Sequence, residues 1–336
     1  MNLKLLKEVL SWQAESRNTA QQQAIMDNVR NLLGAKVNVT FDAYGNMYMV
    51  KGTAEVYPCV VAHVDQVHTY CLNYNVLQSE DVLLAYDPVA GKQVGVGGDD
   101  KCGIYLVIQM LKKYPAMKAV LFKDEEIGCL GSGKANIEFF SDCAFILQGD
   151  RKHNTNDAIN HTNGVSTTST EFDDAAAEVL KANGYFLSRG TSTDIGELVC
   201  RDVGCCAMNI ACGYYNAHSS TEIVRISKLE QCENFFYTMI DTLAHQRWEH
   251  IAKKYVNTYF GGTGGHKSTK NQRWDTATGK WVNDFAPLPS QFGKKCTMCN
   301  GVTAYDSTHG DQYCASCGLF ARDIQYWEEQ LKLAAQ

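Results

Sequence analysis

The sequence predicts a doubly wound α/β fold, with a mixed, mostly parallel sheet flanked by helices and a small zinc-ribbon module after it. Three observations predict the sheet. Short, nearly all-apolar runs such as YPCVVAHVD (57–65) read as strands buried on both faces. Segments of helical periodicity, such as KCGIYLVIQMLKKY (101–114), alternate with them. Several of these runs end in a histidine or a carboxylate, and in open sheets of this kind ligands sit beyond the carboxyl ends of the strands.

Each element has a local reason. Residues 3–33 read as two helices, with Leu3, Leu6, Val9 and Leu10 at helical spacing and Gly34 placed as a C-cap. KVNVTFD and NMYMVKG alternate across an Ala-Tyr-Gly-Asn turn and read as a hairpin. The stretch from about 66 to 98 reads as loop-rich. AVLFKDEE and CAFILQGDR are strands that run into charge. TEFDDAAAEVLKANG is a capped helix, YFLS and CCAMNIACG are short strands, and 227–250 is a long helix. Residues 1–256 thus form one domain. From 257 to 290 the chain is rich in Gly, Thr and Lys without periodicity and reads as a linker or extended arm. Residues 291–336 hold paired cysteines and a final helix.

Composition narrows the function. The 336 residues are 45% hydrophobic and carry a formal net charge of −6, which gives no electrostatic reason to expect nucleic acid or an anionic membrane as partner. No apolar run approaches the roughly eighteen residues of a membrane span. The opening MNLKLLKEVLSWQAESRN lacks the apolar core of a secretory signal, and fourteen cysteines without such a signal fit a reducing, cytoplasmic setting.

The chemistry lies at the strand ends. His63-Val64-Asp65 offers an imidazole with an acceptor two residues on, able to hold its other ring nitrogen. Gly97-Gly98-Asp99-Asp100-Lys101 puts acids in a tight turn before a helix. Asp124-Glu125-Glu126 follows a buried strand, where three adjacent acids repel one another unless water or cations offset the charge. Asp150 ends another strand, and His218 follows far downstream in YYNAHSS. Together these supply two histidines and three carboxylates for a pair of ions, with one carboxylate left over. Imidazole and carboxylate suit zinc, and the spare acid can shuttle a proton.

The ordered set HVD, GGDDKCG, DEEIGCLGS, a strand-end Asp and a late His followed by SSTE resembles the co-catalytic zinc exopeptidases. That clan includes peptidase T, zinc carboxypeptidases and zinc aminopeptidases. The resemblance covers roughly residues 55–230. It implies that His63 and Asp150 hold one zinc, Glu126 and His218 the other, and that Asp99 bridges both. It makes Glu125 the general acid/base and Asp65 the residue that orients His63. It further implies a cis peptide bond after Asp99. Only 36 positions separate His63 from Asp99 and 68 separate Asp150 from His218, which leaves no room for the inserted lid that many relatives carry. Arg151 and the loop holding Thr193 and Asp194 are candidate substrate contacts.

Cys296 and Cys299, then Cys314 and Cys317, form a CxxC-x14-CxxC pattern, the spacing of a tetrahedral structural zinc site in a zinc ribbon. The ribbon reads either as a stapled tail or as a module for a protein partner. The expected function is hydrolysis of a peptide bond in small peptides by an aminopeptidase or di/tripeptidase. It would use two zinc ions, or cobalt or manganese in their place, and one structural zinc. The alternatives are an acyl-amino-acid deacylase or carboxypeptidase on the same site, or a binding protein acting through the ribbon. Oligomeric state is left open.

Overall fold

A computed structural model describes residues 1–251 except 163, together with the backbone of four short strands between residues 272 and 314. The chain divides into two compact units, Met1–Val256 and Asn257–Gln336.

The first unit begins with helices α1 (Leu3–Leu10) and α2 (Thr19–Leu33), then strands β1 (Val37–Phe41), β2 (Met47–Lys51) and β3 (Tyr57–His63). Strands β4 (Asn75–Ser79), β5 (Val82–Asp87) and β6 (Lys92–Val94) precede helix α3 (Gly98–Lys113) and strands β7 (Met117–Phe122) and β8 (Cys143–Arg151). Next come β9 (Asp157–Thr162), β10 (Val165–Ser166), α4 (Thr170–Ala182), β11 (Phe186–Gly190), α5 (Asp194–Cys200) and β12 (Ala207–Ala211). The hairpin of β13 (Tyr214–Tyr215) and β14 (Ile223–Arg225) leads into α6 (Ile226–Leu243).

Nine strands form one sheet in the order β1-β2-β7-β3-β8-β12-β9-β10, with β11 beside β9. The four central strands β7, β3, β8 and β12 are mutually parallel, and antiparallel pairs lie outside them. The all-apolar runs become the centre because both of their faces are covered. Side chains alternate across a strand. Accordingly Val60 and Ala62 enter one core with Ala119, Leu121 and Leu147, while Cys59 and Val61 enter the other with Val120, Phe122 and Ile146. The first core is roofed by α1, α2, α3, α4 and α6, and the second by α5 and neighbouring short turns. Asn2, Asn18 and Ser169 cap the starts of α1, α2 and α4 with side-chain oxygens.

Three expectations change. The stretch read as loop-rich supplies β4, β5 and β6, which join β13 and β14 in a second, five-stranded sheet. Its strands are short, β4 is mostly exposed, and only β5 (VLLAYD) carries an apolar run like that of a central strand. The last helix of the domain stops at Leu243, not near 250. The segment read as an arm holds an antiparallel hairpin of β15 (Gln272–Asp275) and β16 (Lys280–Asn283). A second hairpin, β17 (Thr303–Asp306) with β18 (Asp311–Cys314), follows the first cysteine pair and ends on Cys314 of the second. The side chains of Cys296, Cys299, Cys314 and Cys317, and the expected final helix, lie outside the described residues.

Candidate metal centre

Strand register assembles the site. His63 is the last residue of β3 and pairs with Phe122 at the end of β7, so the acids that follow β7 emerge beside it. Val61 pairs with Gln148, and two residues further along both strands bring His63 and Asp150 to one level. Asn209 on β12 holds Asp150 by its backbone: its Oδ1 accepts the Asp150 N–H at 3.0 Å and its Nδ2 donates to the Asp150 carbonyl at 2.8 Å. Asp99 sits in the first turn of α3 with non-helical φ and ψ, and the Asp99–Asp100 peptide is cis. His218, on the turn between β13 and β14, has φ +62°.

Five residues from five loops and strand ends converge. His63 Nε2 lies 3.1 Å from Asp99 Oδ1 and 3.6 Å from Asp150 Oδ1. His218 Nε2 lies 3.2 Å from Asp99 Oδ2 and 3.0 Å from Glu126 Oε2. Asp99 therefore turns one oxygen to each imidazole. Glu125 Oε2 stands 3.9 Å from His63 Nε2, and its Oε1 accepts the Cys129 thiol at 3.4 Å. The donor atoms of His63, Asp99 and Glu126 lie close enough together to hold one ion, as do those of His63, Asp100 and Asp150. Asp100, however, spends both oxygens on backbone N–H groups, those of His63 and Gly103. It is a cap, and Asp99 is the aspartate with oxygens to spare.

The neighbouring acids also divide by partner. Asp124 accepts the Arg17 N–H, the Gln22 amide and the Tyr44 hydroxyl, so it ties the N-terminal segment to the site. Asp65 does more than the expected orienting of His63. The nearer acceptor for His63 Nδ1 is the Asp65 backbone carbonyl at 3.0 Å, with the carboxylate at 3.6 Å. The carboxylate itself accepts the N–H of Glu125 at 2.9 Å, the N–H of Glu126 at 3.3 Å and the Ser16 hydroxyl. One aspartate thus places the histidine and the acid pair together.

Of the candidate substrate contacts, Arg151 ends β8 with its Nε buried and unpartnered, and its Nη2 lies 3.5 Å from Asp157. Thr193 caps α5. Asp194 is fully buried and accepts from Gln148 Nε2 at 3.0 Å, and the same Nε2 reaches Asp150 Oδ2 at 3.3 Å. The Tyr214 hydroxyl donates to Asp150 Oδ1 at 3.2 Å. Sequence reasoning missed Gln148, Tyr214 and Asn209. Gln148 has a legible signal, a polar residue inside an apolar strand. Tyr214 and Asn209 have none, because their partners come from distant strands.

The clustered histidines and acids shift one another away from their ordinary pKa values. Burial disfavours a charged His63, but Asp150, Asp65 and Asp99 outweigh it and push its pKa well up. Asp99 and Glu126 push His218 up to about 11. Burial, reinforced by Asp99, raises Asp150 to about 8, and burial with Asp150 and Asp194 raises Glu125 to about 9. Burial would raise Asp99, yet His218 and His63 hold it below the carboxylate range. Glu126 Oε1 is buried with no hydrogen-bond partner. Buried acids this close favour occupation by protons or by cations, and the mixed imidazole and carboxylate set fits divalent zinc.

A pH prediction follows for the chelated protein. The raised His218 stabilises the fold below its unfolded value near 6.5 and loses that contribution as pH climbs toward 11. The raised Asp150 and Glu125 carboxyls make the fold less stable as pH rises from their unfolded values through about 8 and 9. All three act in one direction, so melting temperature should fall between about pH 6 and 9. Zinc loading in this window should release protons and flatten the fall. A melting temperature that holds or rises with pH in the chelated protein contradicts this account.

No family model and no curated protein sequence matches the chain. Solved structures do. Aminopeptidase PepT from Bacillus cereus aligns with a TM-score of 0.58 at 10% identity, over 72% of this chain and 98% of its own. A tripeptidase from Staphylococcus aureus aligns with a TM-score of 0.57 at 14% identity, over 73% and 98%. An aminopeptidase from the archaeon Desulfurococcus kamchatkensis aligns with a TM-score of 0.53 at 13% identity, over 73% and 95%. At these identities the likeness is one of fold.

Proposed function

We propose that the chain is a metal-dependent exopeptidase, an aminopeptidase or di/tripeptidase acting on small peptides. The observation that carries this is Asp99, with one oxygen on His63 and the other on His218, and Glu125 standing farther off, 3.9 Å from His63. In this reading His63 and Asp150 would hold one zinc, His218 and Glu126 the second, and Asp99 would contribute to both. Such a pair, in zinc, cobalt or manganese, supplies a polarised scissile carbonyl and a water of lowered pKa.

The chain's own residues supply the rest. Glu125 Oε1 is engaged by Cys129, which leaves Oε2 to take the proton of the attacking water and return it to the leaving amine. Asp65 keeps the Glu125 and Glu126 backbones in place for this exchange. The buried, unpartnered Nε of Arg151 is the candidate contact for a substrate oxygen. Aminopeptidase and tripeptidase activities among the similar folds support the reading.

A deacylase or carboxypeptidase could use the same centre, and blocking the substrate separates the two. An N-acetylated dipeptide or tripeptide should resist cleavage while its free-amine form is cut. Cleavage of the blocked peptide at a comparable rate would move the assignment to the alternatives. For the C-terminal unit we propose a structural zinc on Cys296, Cys299, Cys314 and Cys317, with the β17–β18 hairpin leading from the first pair into Cys314 of the second.

A further inference from the structure

Glu222 stands four residues after His218 and is fully buried, yet the proposed chemistry gives it no task. Its Oε2 accepts the Gly97 N–H at 2.7 Å and lies 2.7 Å from His68 Nε2. Its Oε1 accepts the Asp99 N–H at 3.1 Å. One carboxylate thereby joins three segments: 63–68, which carries His63 and Asp65; 97–99, which carries Asp99; and 218–222, which carries His218. The packing leaves these segments little freedom. A Cβ on Gly98 would come within 2.7 Å of Tyr214 Cβ and 2.8 Å of Val224 Cγ2, so the turn is pressed onto the β13–β14 hairpin. A Cβ on Gly95 would fall on the His68 ring.

We infer that Glu222 is a positioning residue that sets the bridging geometry of Asp99, an inference that rests on the exopeptidase reading above. Asp99 must present its two oxygens 3.1 Å from His63 and 3.2 Å from His218 at once. Its backbone N–H is held by a side chain rooted in the His218 loop, so the two ends of this arrangement cannot drift apart independently. A carboxylate is required for a chemical reason. Gly97 and Asp99 both present donors, and each needs its own acceptor oxygen. A glutamine of the same size has one oxygen and must turn its NH2 against the other N–H, leaving a buried donor unpaired.

The test uses the full chain and metal alone. Zinc retention against a chelator and the visible absorption of the cobalt(II) form are measured for wild type and Glu222→Gln, with the melting temperature of each chelated protein as control. The variant is expected to hold the chelatable pair about 10–100-fold more weakly, with an altered cobalt spectrum, while the chelated protein stays folded. A folded variant with wild-type affinity and spectrum overturns the inference. Should Glu222→Gln fail to fold, Glu222→Asp keeps both acceptor oxygens on a side chain one methylene shorter, which draws them away from the Gly97 and Asp99 N–H groups, and wild-type affinity and spectrum in that folded variant overturn the inference equally. A wild-type chain that takes up no chelatable pair defeats the exopeptidase reading itself. Wild-type uptake with unchanged uptake in the variants defeats the role of Glu222 alone.

Discussion

Glu125→Gln should retain both chelatable metal equivalents and lose peptide turnover by about 10²–10⁴-fold, the usual contribution of a positioned general acid/base. The amide keeps the side chain's shape and its acceptor toward the Cys129 thiol, so the neighbouring ligands are undisturbed. What it cannot do is carry a proton at the position that faces His63, where Oε2 now stands. The loss should fall on kcat with little change in KM, because the group acts on the transition state. A second readout is independent of turnover. Burial and neighbouring acids push the Glu125 carboxyl to about 9, so its ionisation adds to the fall in stability of the chelated protein at alkaline pH. The chelated Glu125→Gln protein should therefore lose less melting temperature between about pH 6 and 9 than chelated wild type. Turnover within a factor of about three of wild type would remove Glu125 from the mechanism, since even the low end of the expected range is 10².

Asp99→Asn should abolish turnover by removing the metal pair. Among the described residues the aspartate is the one side chain with an oxygen toward each imidazole, and asparagine offers a single carbonyl oxygen beside an NH2 that cannot ligate. Metal analysis after mild chelation should recover neither site at wild-type affinity, a loss larger than the roughly 10–100-fold typical of an outer partner. Asp100→Asn is the paired control. Both Asp100 oxygens accept backbone N–H groups, so its substitution should cost stability before it costs metal. If Asp100→Asn strips the metal while Asp99→Asn keeps it, the assignment of the two aspartates is reversed.

The two neighbouring aspartates show how far a sequence carries. The order of the motifs, through the resemblance it carries, named His63, Asp99, Glu126, Asp150 and His218, and the structure brings these five side chains together. The central strands were legible for a local reason: burial on both faces forces continuous apolar runs, which few other environments require. The second sheet was not legible. What joins it into one sheet is the pairing of β14 with β5, more than a hundred residues earlier in the chain, and no local pattern marks that pairing.

The sequence by itself determined the element types of the core and the kinds of side chain available at the strand ends, because these follow from local patterning and side-chain type. Only the tertiary structure decided which acid does what. It gave Asp100 to the backbone and Asp99 to both imidazoles, turned the Asp65 carboxylate toward the Glu125 and Glu126 backbones, and placed Glu222 under the Asp99 turn. Adjacent carboxylates are chemically alike. What separates them is the set of donors that strand register and loop packing bring within hydrogen-bond reach, and those donors lie far apart in the chain.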